Sequence, residues 1–136
     1  MSLKVFITGA NGMLGSSLCR LYQNDHEVHA LHRDKKCYSP CSADYSIELT
    51  DALQLKSIFN HIKPDLLIHC AGLASVDECE QKPALAYEAN VRVCENIARV
   101  CSNKIKMVHI STDQVYGDVE DHSETNEMLQ PLNQYG

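Results

Sequence analysis

Apolar positions along this chain fall into two alternating kinds of run. Residues 3–7, 65–70 and 105–110 are nearly continuous apolar stretches of strand length. That pattern suits strands buried on both faces of a parallel sheet. Residues 27–31 form a shorter run of the same kind, and residues 44–49 read as a short edge strand. Between them, apolar residues recur at helical spacing. Leu14, Leu18, Leu21 and Tyr22 form one set, and Leu53, Leu55, Ile58, Phe59 and Ile62 a second. Ala86, Ala89, Asn90, Val93, Cys94, Ile97, Val100 and Cys101 form a third, within a helical pattern that spans residues 77–103. Thr50 is expected to cap the second helix, with Asp51 in its first turn and Lys63-Pro64 ending it. Pro83 is expected to start the main part of the third.

Strand and helix alternating in this way imply right-handed βαβ units on a parallel sheet. The expected fold class is α/β, a Rossmann-type doubly wound sheet with strand order 3-2-1-4-5, formed by one domain over residues 1–136.

The turn after the first strand carries the most specific chemistry. Thr8-Gly9-Ala10-Asn11-Gly12-Met13-Leu14-Gly15 joins a buried-type strand to a helix. Its spacing is G-x-x-G-x-x-G rather than G-x-G-x-x-G, but the physical roles are similar. Gly9 allows the tight turn, Gly12 lets backbone approach a pyrophosphate, and Gly15 lets the helix pack close to the sheet. The helix N-terminus then offers unpaired N–H groups to phosphate. Asn11, Met13 and Leu14 belong to the same loop. An ordinary three-glycine turn is the plainer alternative.

At the end of the second strand, His32 and Arg33 occupy the position that faces an adenosine ribose in such folds. Arg33 suits a 2′-phosphate, which favours NADP(H) over NAD(H), while Asp34 keeps NAD(H) open. Glu48 and Leu49 lie where the adenine would rest. Cys70, Ala71 and Gly72 end the fourth strand with small residues that a cofactor could approach. Asn90 is the one polar member of its apolar face, either a satisfied core amide or a cofactor-side contact. The fifth strand delivers Ser111, Thr112 and Asp113 to the sheet edge where α/β folds bind ligands.

Composition narrows the partners. The net charge is −6 and no Lys/Arg stripe forms, so nucleic acid is not an expected partner. No apolar run reaches membrane-spanning length. The seven cysteines include no CxxC pair, and the seven histidines include no HExxH pattern. They read as reduced thiols of a cytoplasmic protein, with no metal site expected.

Several stretches together resemble the extended short-chain dehydrogenase/reductase family, closest to its dTDP-4-dehydrorhamnose reductases. The residue 8–15 loop looks like that family's cofactor loop, and Leu31-His32-Arg33 is similar to the second-strand end of its NADP-using members. His69-Cys70-Ala71-Gly72 resembles the family's N-A-A segment, with Cys70 in place of the usual Asn. Ile110-Ser111-Thr112-Asp113-Gln114-Val115-Tyr116-Gly117 resembles the S-T-D-Y-V-F segment. His122-Ser123-Glu124-Thr125 and Pro131-Leu132-Asn133-Gln134-Tyr135-Gly136 resemble the path to the family's Tyr-Gly.

The resemblance implies hydride transfer from a nicotinamide to the 4-keto carbon of a nucleotide-linked deoxysugar. Tyr135 would be the general acid, Thr112 would hydrogen-bond the same oxygen, and Asp113 would help position sugar or tyrosine. The family's catalytic Lys, four residues after the Tyr, has no counterpart before Gly136. Lys104 and Lys106 lie at the wrong end of a strand to replace it. The chain therefore reads as the cofactor portion of a longer reductase, inactive alone, with the C-terminal substrate domain absent and the last strand left with a bare edge. A nucleotide-sugar epimerase or dehydratase of the same superfamily is the nearer alternative. A non-catalytic dinucleotide-binding subunit, like the regulatory subunit of methionine adenosyltransferase, is the more distant one. Homodimer formation is left open.

Overall fold

β1 (Lys4–Thr8) is the central strand of a five-stranded sheet that also contains β2 (Glu27–His32), β3 (Ala43–Ser46), β4 (Leu66–His69) and β5 (Lys106–His109). The spatial order is β3-β2-β1-β4-β5 and every pairing is parallel, as the alternating pattern implies. The computed structural model describes residues 1–101, 105–118 and 129–136. The segment His122-Ser123-Glu124-Thr125 and Lys104 lie outside the described residues.

Successive β1 residues point to opposite faces, and each face has its own core. On one side Val5 and Ile7 pack with Val28, Ala30 and Ile68 against Cys19 of α1 (Met13–Tyr22). On the other, Phe6, Leu31 and Leu67 meet Leu55 and Phe59 of α2 (Ala52–Ile62) and Val93 and Ile97 of α5 (Val93–Val100). Phe6 and Phe59 make an edge-to-face contact with ring centroids 5.0 Å apart, a geometry worth about 1 kcal/mol beyond the area it buries.

Several local expectations change. Leu18 and Tyr22 pack against the core as expected, but Leu14 and Leu21 are exposed on α1, and its fully buried residues are Gly15 and Cys19. A glycine and a small thiol allow the helix to sit close to the strands, where two leucines would hold it off. On α2, Leu53 is 81% exposed. Its cap is Asp51 rather than Thr50: the Asp51 carboxylate accepts from the Leu53 and Gln54 N–H groups. Lys63 ends the helix with φ 55°, in the left-handed region, just before Pro64.

The long helical pattern is divided. α3 (Val76–Gln81), capped by Ser75, stops at Lys82, and Pro83 opens α4 (Pro83–Ala86). A π-helical segment, Tyr87–Arg92, joins α4 to α5. Asn96, absent from the expected apolar face, is buried and donates to the Leu49 and Thr50 carbonyls. β5 is the edge strand among the described residues, and Val108 and Ile110 are exposed on or just beyond it. Its apolar run therefore reads as buried although no described strand pairs beyond it. Among the described residues, no helix is long and apolar enough to cross a membrane.

Candidate functional site: a cleft at the carboxyl ends of the strands

The glycine loop leaves β1 at the carboxyl edge of the sheet. Gly9 has φ 64°, and a Cβ there would lie 2.9 Å from the Ala71 backbone. Only glycine satisfies both the left-handed turn and the close approach of the loop that follows β4. Gly12 N–H donates to the Gly9 carbonyl, and Gly12 precedes α1 without any side-chain cap. The first N–H groups of α1 are thus left to whatever occupies the space before them, the arrangement that favours an anion.

That space is a cleft of about 760 Å³. Among the expected cofactor residues, Gly9, Asn11, Gly12, His32, Arg33 and Glu48 line it, as do Leu49, Cys70, Ala71 and Gly72. Met13 and Leu14 lie on the exposed first turn of α1 and do not line it. Gly15 acts behind the cleft, where α1 meets the loop. Ser111 is exposed beyond β5 and also does not line it.

Asn90 is a clamp. Its Oδ1 accepts from Leu73 N–H at 2.7 Å and its Nδ2 donates to the Leu73 carbonyl at 3.0 Å. Both ends of the amide hold the loop after Gly72, so Asn90 shapes one wall of the cleft without lining it. The π-helical segment sets that placement. Such widened turns recur at functional sites, and periodicity at 3.6 residues gives no sign of one.

His32 lines the cleft but offers it no free ring nitrogen. It belongs to β2, its side chain is buried, and its ring bonds the Asp34 carbonyl and the Asp44 carboxylate. Both nitrogens are spent on the fold, and the ring props the turn that carries Arg33. Arg33 is exposed at the cleft and makes no ion pair among the described residues. Asp34 is engaged: Asn11 Nδ2 donates to its carboxylate at 2.8 Å and to the Lys36 carbonyl at 2.9 Å. Glu78 and Glu88 also line the cleft, from elements that sequence reasoning had not linked to it.

Beneath the cleft sits Thr8, fully buried. Its Oγ1 accepts from Cys70 N–H and Ala71 N–H and shares a 2.6 Å hydrogen bond with His69 Nδ1. Burial, and secondarily His109, push His69 down to about 4, so the ring is neutral near pH 7. The Cys70 thiol is pushed up by burial and is therefore a poor nucleophile.

The expected catalytic residues come from two segments that meet at Gln114. Thr112 Oγ1 accepts from Gln114 N–H and caps a single 3-10 turn, Asp113–Val115. Asn133 Nδ2 donates to Gln114 Oε1, and Asn133 Oδ1 accepts from the Tyr135 and Gly136 N–H groups. Gln134 N–H donates to Glu80 of α3. The fold thus links the Thr112–Asp113 turn to the Asn133–Gly136 segment through Gln114. No hydrogen bond joins Tyr135 to Thr112 among the described residues, and none of Thr112, Asp113 and Tyr135 lines the cleft.

Comparison with known proteins agrees with this geometry. Residues 3–136 match the family described as the RmlD substrate binding domain. The dTDP-4-dehydrorhamnose reductase of Aggregatibacter actinomycetemcomitans is 31% identical over 98% of this chain and 43% of its own length. Methionine adenosyltransferase 2 subunit beta of Xenopus laevis is 29% identical over 99% of this chain and 40% of its own. The dTDP-4-dehydrorhamnose reductase of Bacillus anthracis, solved in complex with NADP, superposes with a TM-score of 0.84 at 29% identity, over 99% of this chain and 45% of that one. The chain spans less than half the length of these relatives. With its glycine loop, parallel sheet and carboxyl-edge cleft in this arrangement, the chain belongs to the RmlD substrate binding domain family.

Proposed function

We propose that this chain is the nicotinamide-dinucleotide-binding portion of a reductase acting on a nucleotide-linked 4-keto-deoxysugar. The observation that carries the reading is the uncapped α1 N-terminus opening, through Gly9 and Gly12, into the cleft. The pyrophosphate would lie on that terminus, with the adenosine toward Arg33, Glu48 and Leu49, and the nicotinamide toward Gly72 and the Ser111–Asp113 side. A bound nicotinamide supplies the hydride. The residues of this chain do the rest: Thr112 orients the ketone, Asp113 helps position the sugar, and Tyr135 gives its phenolic proton to the oxygen that becomes an alkoxide. A phenol ordinarily titrates near 10, so this role requires a cation beside Tyr135 in the working enzyme.

NADP(H) is favoured over NAD(H). Arg33 stands unpaired among the described residues, while Asp34, the group that would bond a free 2′-hydroxyl, is held by Asn11. Arg33→Ala is expected to weaken NADPH binding about tenfold or more while changing NADH little, as losing a charge-assisted contact to phosphate implies. Titration with both cofactors checks this, and equal losses remove the preference. The seven free thiols support a reducing, cytoplasmic setting.

The complete polypeptide, given NADPH and dTDP-4-dehydrorhamnose, should oxidise the cofactor stoichiometrically with sugar reduction. Tyr135→Phe should lower that rate by roughly a hundredfold or more with unchanged NADPH affinity. NADPH binding without turnover would instead favour a regulatory subunit, the reading that the Xenopus laevis relative supports. Sugar interconversion without net cofactor oxidation would favour an epimerase.

A further inference from the structure

Outside the cleft, the fold gathers three potential metal ligands from three elements. His69 ends β4, His109 is its register partner at the end of β5, and Cys94 lies on α5 facing both. One ligand atom from each lies within 4.8 Å of the others. The two imidazoles sit with centroids 5.3 Å apart, and Cys94 Sγ is 4.0 Å from His109 Nδ1. The three residues are remote in sequence, which is why no ligand spacing announces them.

We propose that His69, Cys94 and His109 bind a single thiophilic divalent ion, with Zn2+ as the best fit. The donor set of two imidazoles and one thiolate is a borderline-soft set that suits zinc. Tetrahedral zinc, with bonds of about 2.0 Å to nitrogen and 2.3 Å to sulfur, holds its ligands about 3.3–3.6 Å apart. Closing from the observed spacing takes a movement of roughly an ångström, available to the exposed His109 and half-buried Cys94.

His69 is the fixed member. It is buried, and Thr8 holds its Nδ1, the outer bond that metal-binding histidines characteristically have. Nε2 is the nitrogen left to ligate. In the loaded site the His69 proton moves from Nε2 to Nδ1. The Thr8 hydroxyl turns its own hydrogen away and accepts from Nδ1–H in place of one of its two backbone N–H donors. The Cys94 thiol gives its proton to the buffer, and water fills the fourth position. One proton is therefore released per ion. The ion would also tie β5 to β4 and, through Thr8, to the Cys70–Ala71 wall of the cleft. The proposal is independent of the dinucleotide reading.

The test uses the chelator-treated chain titrated with Co2+ and then Zn2+. Co2+ is expected to bind one equivalent with a thiolate-to-cobalt charge-transfer band in the ultraviolet and tetrahedral ligand-field bands in the visible, and Zn2+ should abolish both. Cys94→Ser should remove the charge-transfer band, and Cys94→Ser and His109→Asn should each weaken Zn2+ by at least about tenfold. Long-range proton–nitrogen spectra supply a readout that needs no variant: the His69 and His109 ring nitrogens should shift together on addition of Zn2+. A band retained in Cys94→Ser would place the thiolate among the other cysteines and overturn the proposal. So would the absence of saturable uptake, or imidazole signals that stay in place.

Discussion

Gly15→Ala should lower the melting temperature by about 10 °C. A Cβ at Gly15 would stand 2.2 Å from the Gly9 carbonyl oxygen and 2.8 Å from its carbon. Both neighbours are backbone, and the loop they belong to is pinned between β1 and the Ala71 backbone, so neither can swing aside. Helix α1 must lift from the sheet, which strips Cys19 of its contacts with Val5, Ile7 and Val28. Overpacking of this kind costs on the order of 3 kcal/mol, and a domain of this size loses roughly 3 °C per kcal/mol.

The companion variant separates folding from binding. A Cβ at Gly12 would meet only the Gly9 carbonyl oxygen, at 3.1 Å, and would otherwise face open space. Its backbone is extended, with φ −74° and ψ 169°, which a branched side chain adopts readily. Gly12→Val should therefore keep stability within about 1 kcal/mol yet lose dinucleotide binding, because the side chain stands where phosphate approaches the α1 terminus. Thermal melts and NADPH titration of the two variants decide the matter. Unchanged affinity in Gly12→Val would reduce the loop to an ordinary turn.

Thr8→Val carries the second large effect. The shape is nearly conserved, but the hydroxyl serves three partners at once: His69 Nδ1, Cys70 N–H and Ala71 N–H. Each buried polar group left without a partner costs about 1–3 kcal/mol. A total of roughly 3 kcal/mol or more is expected, together with weaker dinucleotide binding as the Cys70–Gly72 wall loses its anchor. Thr8→Ser removes only a methyl and should cost about 1 kcal/mol, with binding retained. A valine variant as stable as the serine variant would show that the hydroxyl is not what holds β1 to the β4 loop.

Legibility in the sequence tracked how local the physics was. Alternation of apolar runs was enough for a parallel sheet, because each strand–helix–strand unit closes with one hand, and the order 3-2-1-4-5 followed from reading it as a Rossmann-type fold. The glycine loop was legible for a similar reason: turn, close approach and helix start all lie within eight consecutive residues. Helix faces were less so. Leu14, Leu21 and Leu53 fit a helical repeat yet point outward, while Asn96 points in with its amide bonded to the Leu49 and Thr50 carbonyls. Periodicity marks where a stripe lies but not which of its edges the sheet covers.

What the tertiary structure alone decided concerns groups that are distant in the chain. His32 borders the cleft at its strand end, but the parallel pairing of β2 with β3 sets Asp44 beside it and takes its Nε2. Asn90 became a loop clamp because a π-helical turn aims it at Leu73. The His69–Cys94–His109 cluster exists only because β4 and β5 are in register beneath α5. The sequence by itself determined the fold class, the glycine turn into α1 and the family, since these rest on short-range patterning and backbone constraints. The partner of each buried polar side chain was decided by strand register and helix rotation, which no local pattern encodes.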